Sequence, residues 1–201
     1  MITQYLAPPP RPHGNSRVIH VSWVGVHCSM SLHTSRVLAA CSKGDIAYLH
    51  RISKETSLSS CLDKFGASPV HYAVRSGKRD CLQWLVMVGG LSPRTPAHNG
   101  AMPVHDAAAT GQLECLEWLV RKGGCDADAR DCAQATPLHL AARFGHISIV
   151  EWLVGEEQCS PMDRAQNGAT PVHLAAAKGS TNCLKWLTNK EPRYVLCCGD
   201  E

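Results

Sequence analysis

Thr136-Pro137-Leu138-His139-Leu140-Ala141-Ala142-Arg143-Phe144-Gly145-His146 spells one short helix with both of its ends marked. Thr136 carries a hydroxyl that can cap orphan N–H groups, and Pro137 gives up only an N–H that the first turn would leave unpaired. Gly145 stops the helix, because a left-handed residue at that point is cheap only without a Cβ. The frame recurs every 34 positions, at Ala67-Ser68-Pro69-Val70-His71, Ala101-Met102-Pro103-Val104-His105, Ala135-Thr136-Pro137-Leu138-His139 and Ala169-Thr170-Pro171-Val172-His173. Gly77, Gly111, Gly145 and Gly179 keep the step, as do Trp84, Trp118, Trp152 and Trp186. A strict period of this length means a stack of like units, so it is settled before anything else.

Each unit reads as two helices. The second, for example Asp80 to Val88, places Leu82, Leu85 and Val86 on one side at helical spacing and ends at Gly89-Gly90. Polar stretches such as Ser92 to Gly100 then form hairpin-like turns between units. Ser68, Thr136 and Thr170 are capping residues; Met102 in their column cannot cap, at a cost of about 1 kcal/mol.

The pattern Thr-Pro-Leu-His-Leu-Ala-Ala-x-x-Gly-His resembles the ankyrin repeat, and Thr136 to His146 matches it position by position. The resemblance implies an all-α solenoid. A fainter unit, Arg36 to Ser53 with Ala39-Ala40 and Lys43-Gly44-Asp45, resembles an N-terminal repeat that has lost its proline. The chain then divides into residues 1–35, expected to be poorly ordered, an array of about five units over 36–188, and a tail over 189–201.

Further residues narrow the resemblance. His105-Asp106-Ala107 with Thr110-Gly111, Leu116 to Leu119 with Gly123-Gly124-Cys125, Arg143-Phe144-Gly145 and Ala176-Ala177-Lys178-Gly179 are together similar to the ankyrin array of the espin and forked actin-bundle family. That resemblance implies a cytoplasmic, cytoskeleton-associated, non-enzymatic module. Its partner would be an acidic peptide with apolar anchors, such as a tail segment of a class III myosin, and actin association would come only through separate C-terminal modules. Nothing after Thr188 resembles such modules. The rival reading is a generic ankyrin adaptor in signalling or transcription, unrelated to actin.

Composition narrows the classes independently. Lys+Arg 20 against Asp+Glu 17 leaves a formal charge of +3, too little for a polybasic nucleic-acid binder, so no nucleic-acid partner is expected. The best apolar run, Val18 to Val26, is short and carries His20 and Ser22, so no membrane span is expected either.

Eleven histidines and eleven cysteines invite a metal site. The repeat answers this: Cys81, Cys115 and Cys183 share a column with Ile149, and Cys125 and Cys159 share one with Leu91, so both columns are apolar packing positions. His71, His105, His139 and His173 fall one per unit. Packed helices lie ~8–10 Å apart, too far for two such imidazoles to share a zinc. They read as structural hydrogen-bonding residues, and no metal, cofactor or catalytic group is expected. His98 and Cys132, the off-core Cys/His candidates, again sit one repeat apart.

A solenoid binds through the positions in which its repeats differ. The turn-tip columns read Lys64, His98, Cys132, Gln166 and Phe65, Asn99, Ala133, Asn167. The columns at the end of the first helix read Arg75, Ala109, Arg143, Ala177 and Ser76, Thr110, Phe144, Lys178. Both phenylalanines of the chain fall here beside basic residues, with no acid in the four columns. Lys64, Phe65, Arg75, His98, Asn99, Arg143, Phe144 and Lys178 are therefore the candidate protein-binding residues, on one concave, basic face.

Overall fold

The computed structural model describes residues 32–190. The expectations for residues 1–35 and 189–201 lie outside this range except where helices reach into it. The first helix, α1 (Leu32–Lys43), begins ahead of the 36 boundary, and α10 (Thr181–Lys190) runs past 188. Between them lie α2 (Ile46–Ile52), a 3-10 turn at Leu58–Ser60, α3 (Pro69–Arg75), α4 (Arg79–Met87), α5 (Pro103–Thr110), α6 (Leu113–Arg121), α7 (Pro137–Phe144), α8 (Ile147–Gly155) and α9 (Pro171–Lys178). No strand occurs among the described residues.

Each proline of the repeating frame opens a first helix at its N1 position. Each glycine of the frame follows its end at positive φ, as Gly111 does at 77°. A Cβ on Gly111 would also lie 2.7 Å from the His146 ring, because that ring reaches back to the preceding repeat, its Nε2 3.1 Å from the Ala109 carbonyl. Ser180 occupies the same column and donates to the Arg143 carbonyl at 3.1 Å. The turns after α5 and α7 are thus held by the unit that follows.

The first helices α1, α3, α5, α7 and α9 stack on one another and carry most of the contact between units, while the second helices touch less. Ala73, Ala107, Ala141 and Ala175 are wholly buried on the first helices, and small side chains let helix axes approach. The core runs the length of the array. Leu85, Leu119, Leu153 and Leu187 are wholly buried in the Trp-bearing second helices, each contributing about 2 kcal/mol. Trp118 and Trp152 are buried, whereas Trp84 and Trp186, towards the two ends, are half-buried.

The histidine column is the hydrogen-bonded spine. In His139, Nδ1 accepts from the Thr136 amide at 3.2 Å and lies 2.9 Å from its hydroxyl, while Nε2 faces the Ala169 carbonyl of the next unit at 3.1 Å. His71 repeats this with Ser68 and Ala101. With Nδ1 accepting, the proton sits on Nε2, and both rings staple their own helix starts to the following repeat. The cap hydroxyls therefore serve mainly the imidazole rather than the helix N–H groups. Met102 lacks that hydroxyl contact but keeps the other half of the arrangement, its amide donating to His105 Nδ1 at 3.1 Å, while His105 Nε2 faces Ala135.

The cysteine columns are buried: Cys81, Cys115 and Cys183 are at most 1% exposed, and Cys125 and Cys159 lie in the core with Leu91. Burial pushes the Cys115 thiol up to about 11. Cys81 is lowered instead, by a hydrogen bond with Cys41, so only access protects it. Cys132 is the exposed free cysteine among the described residues. Native-state alkylation is accordingly expected to label Cys132 at least roughly 100-fold faster than the Cys81, Cys115 and Cys183 column, since buried thiols wait for a local opening. Peptide mapping of a timed labelling reaction measures this, and equal rates would remove the core assignment.

The sequence leaves open what covers Val172, Leu184 and Leu187; in the structure Leu187 is wholly buried, Val172 is 5% exposed and Leu184 is half-buried, through the packing of α10 on α9 and α8. The exposed positions are Ala176 and Ala177, where Ala142, one unit earlier, is fully covered.

Candidate protein-binding face

The turns between units are one-rung hairpins, or fingers. Asp63, Ala97, Asp131 and Ala165 each donate an amide to the carbonyl four residues on, and adjacent fingers are laced at their tips. His98 N–H donates to the Phe65 carbonyl at 2.8 Å, Cys132 N–H to Asn99 at 3.0 Å and Gln166 N–H to Ala133 at 2.8 Å. Among the described residues, ion pairs cross repeat boundaries too: Arg75–Asp106, Arg79–Glu114, Arg121–Glu156 and Arg130–Asp163.

The candidate residues fall into two groups. On the first finger, exposed Lys64 holds its Nζ 4.9 Å from the centre of the Phe65 ring, and His98 of the next finger packs against Gly66. At the ends of the first helices, the Arg143 guanidinium lies 5.9 Å from the Phe144 ring centre, and Lys178 is exposed at the end of the adjoining α9. Phe65 and Phe144 are 40% and 38% exposed, so neither is core. Two helix-to-helix steps of ~8–10 Å and one helix length of ~12 Å separate the groups, a diagonal of roughly 20–23 Å. An extended peptide of about seven residues spans it.

Two expectations change. Arg75 is not an open charge: its Nε lies 2.7 Å from Asp106 Oδ2. Asp106 falls outside the four variable columns, one helical turn from their frame, so an inventory confined to those columns misses it. Its side chain is only 15% exposed, and burial raises its pKa to about 6 against the pull of Arg75. Asn99 is committed as well: its Oδ1 accepts from the Ala101 amide at 3.1 Å, closing its own finger.

Sequence reasoning also missed the column Tyr72, Asp106, Leu140, Leu174, every member of which is half-buried. Its variability was the available signal. Tyr72 ties α3 to the first finger by donating to Asp63 Oδ2 at 3.0 Å. Leu140 and Leu174 give the later repeats a more apolar stripe than Tyr72 and Asp106 give the earlier ones.

Among the described residues, no group of three His, Cys, Asp or Glu side chains is placed to hold a metal ion, and no helix is long and apolar enough to cross a membrane. What the face offers is apolar and hydrogen-bonding contact on a rigid support.

The family model for ankyrin repeats, three copies, matches residues 37–131, 70–165 and 104–196. Among curated proteins, the chain is similar to the espin-like protein of Homo sapiens, 46% identical over 70 residues, and to that of Mus musculus, 45% identical over 70 residues. Each match covers 34% of this chain and 7% of the relative, so the aligned stretch spans a small part of those proteins.

Proposed function

We propose, since this chain belongs to the ankyrin-repeat family, that it is a non-enzymatic protein-interaction module of the actin cytoskeleton, binding a partner peptide along its concave face. The observation that carries the cytoskeletal part is the 46% identity with an espin-like protein over 70 residues. The partner is an acidic segment with apolar anchors, such as a class III myosin tail. Lys64, Arg143 and Lys178 supply positive charge, and Phe65, Phe144 and the Leu140–Leu174 stripe supply apolar contact. His98 adds a polar contact on the fingers, whereas Arg75 and Asn99 hold the face together from within. The setting is the cytoplasm.

Co-sedimentation with filamentous actin, with and without a class III myosin tail peptide, tests the reading. The chain alone is expected to stay in the supernatant and to bind the peptide. A chain that ignores the peptide, or that bundles filaments by itself, would overturn it. Within that complex, Phe144→Ala is expected to weaken binding by roughly 2 kcal/mol, as a central aromatic anchor does. Because Phe144 is 38% exposed, its denaturant midpoint should shift little. Calorimetric titration paired with urea melts measures both; unchanged affinity with a large loss of stability would return Phe144 to the core.

A further inference from the structure

Each finger needs one residue in the left-handed region at its third tip position. Gly66, Gly100 and Gly168 supply it at φ of 78°, 76° and 78°. The third finger has Gln134 there instead, at 58°. A side chain in that region strains the backbone by about 1 kcal/mol, and such strain persists where something else retains it.

The third finger also inverts the distribution of its side chains. The others read Lys64-Phe65-Gly66, His98-Asn99-Gly100 and Gln166-Asn167-Gly168, with bulk at the first two places and none at the third; this one reads Cys132-Ala133-Gln134. The second and fourth fingers spend an amide on their own closure, Asn99 Oδ1 accepting from Ala101 and Asn167 Oδ1 from Ala169. In the third finger Asp131 Oδ1 does that work, accepting from the Ala133 and Ala135 amides. Gln134 is exposed, and its side-chain amide has no hydrogen bond among the described residues.

Its backbone, by contrast, is pinned. The Gln134 amide donates to the Asp131 carbonyl at 2.9 Å, and its carbonyl accepts from Arg130 Nη1 at 3.3 Å. Arg130 in turn reaches the Arg164 carbonyl and Asp163 on the next unit. A held backbone here roots an uncommitted amide that can both donate and accept a hydrogen bond. The tip residues Cys132, Ala133, Gln166 and Asn167 carry no charge, and the charges beside them are spent, Arg130 on Asp163 and Asp131 on the finger's own amides, so the local chemistry suits a peptide main chain better than a charged side chain.

We propose that Gln134 is a specificity-determining contact residue, its side-chain amide hydrogen-bonding the main chain of an extended peptide laid across the third and fourth fingers. The inference deepens the interaction reading above and rests on it. Gln158 provides an internal control: it too has positive φ, 55°, in the column of Gly90 and Gly124, but it lies directly after α8 and off the finger tips.

Linear peptides of about twelve residues, recovered from a randomised display library against the intact chain, serve as probes for Gln134→Gly, Gln134→Ala and Gln158→Gly. Both glycine variants are expected to melt about 2–5 °C higher than the parent, from relief of the strained φ. Gln134→Gly and Gln134→Ala should both weaken the peptides about tenfold, while Gln158→Gly should leave affinity within twofold. Unchanged affinity in Gln134→Gly overturns this inference and leaves the interaction reading standing. A loss in Gln134→Gly alone, with Gln134→Ala unaffected, overturns it too, since the backbone and not the amide would then matter. Recovery of no peptide at all overturns the interaction reading and this inference with it.

Discussion

His139→Ala is expected to lower the unfolding free energy by about 3–4 kcal/mol and the melting midpoint by roughly 10 °C. The ring is wholly buried and joins three groups, so its removal strands the Thr136 amide and the Ala169 carbonyl away from water and leaves a cavity between two repeats. His173 occupies the same column in the last described unit. It makes the Thr170 contacts but is half-buried, and its Nε2 has no acceptor among the described residues. Its alanine variant should cost only about 1 kcal/mol. Urea melts of the two variants measure the difference directly. Equal losses would show that the column works within each repeat and not between repeats.

The same rings make the array acid-sensitive. Burial holds His71 down to about 4 from an ordinary 6.5 and lowers His105 and His139 in the same direction. Between those pH values the unfolded chain binds more protons than the folded one, so stability is complete above 6.5 and drains away as pH falls towards 4. For His71 alone that is about 3 kcal/mol. Asp106 works the other way. Its raised pKa means that the fold prefers the protonated carboxyl, which adds roughly 3 kcal/mol as pH falls from about 6 to 3.8. Asp106 thus offsets His71, and the net acid loss falls to His105 and His139. Asp106→Asn, a neutral stand-in for the protonated carboxyl, removes this pH-dependent gain, so the variant is expected to be more stable than the parent near pH 7 and to lose stability more steeply towards pH 4, where the two chains converge. Thermal melts followed by circular dichroism between pH 7.5 and 4 test this; a variant whose stability holds flat across the interval would contradict it.

The array was readable from its columns because each position is asked the same question four times. A column that accepts isoleucine beside three cysteines is a core column, and the burial of Cys81, Cys115, Ile149 and Cys183 follows from packing alone. The hydroxyl of Thr136 was harder to place: cap chemistry offers it the helix N–H groups, but the His139 ring arrives at the same point and takes it. Charge was least readable. Arg75 and Asp106 lie 31 residues apart in different columns, so only the stacking geometry shows that they neutralise each other. Gln134 left a plain trace, a glutamine where sister fingers have glycine, which gains meaning only once the sign of φ is known.

The lacing of the fingers has a mechanical consequence. The links from ring to carbonyl, tip to tip and helix end to following turn join residues 30 to 37 apart. Tension applied between the two ends therefore meets no strap that bridges more than one boundary, and the array yields by shedding its terminal unit first. Each event frees about one repeat of chain, roughly 110 Å of contour. Under load, such a chain lengthens in steps of nearly equal size and rewinds one unit at a time when the load falls.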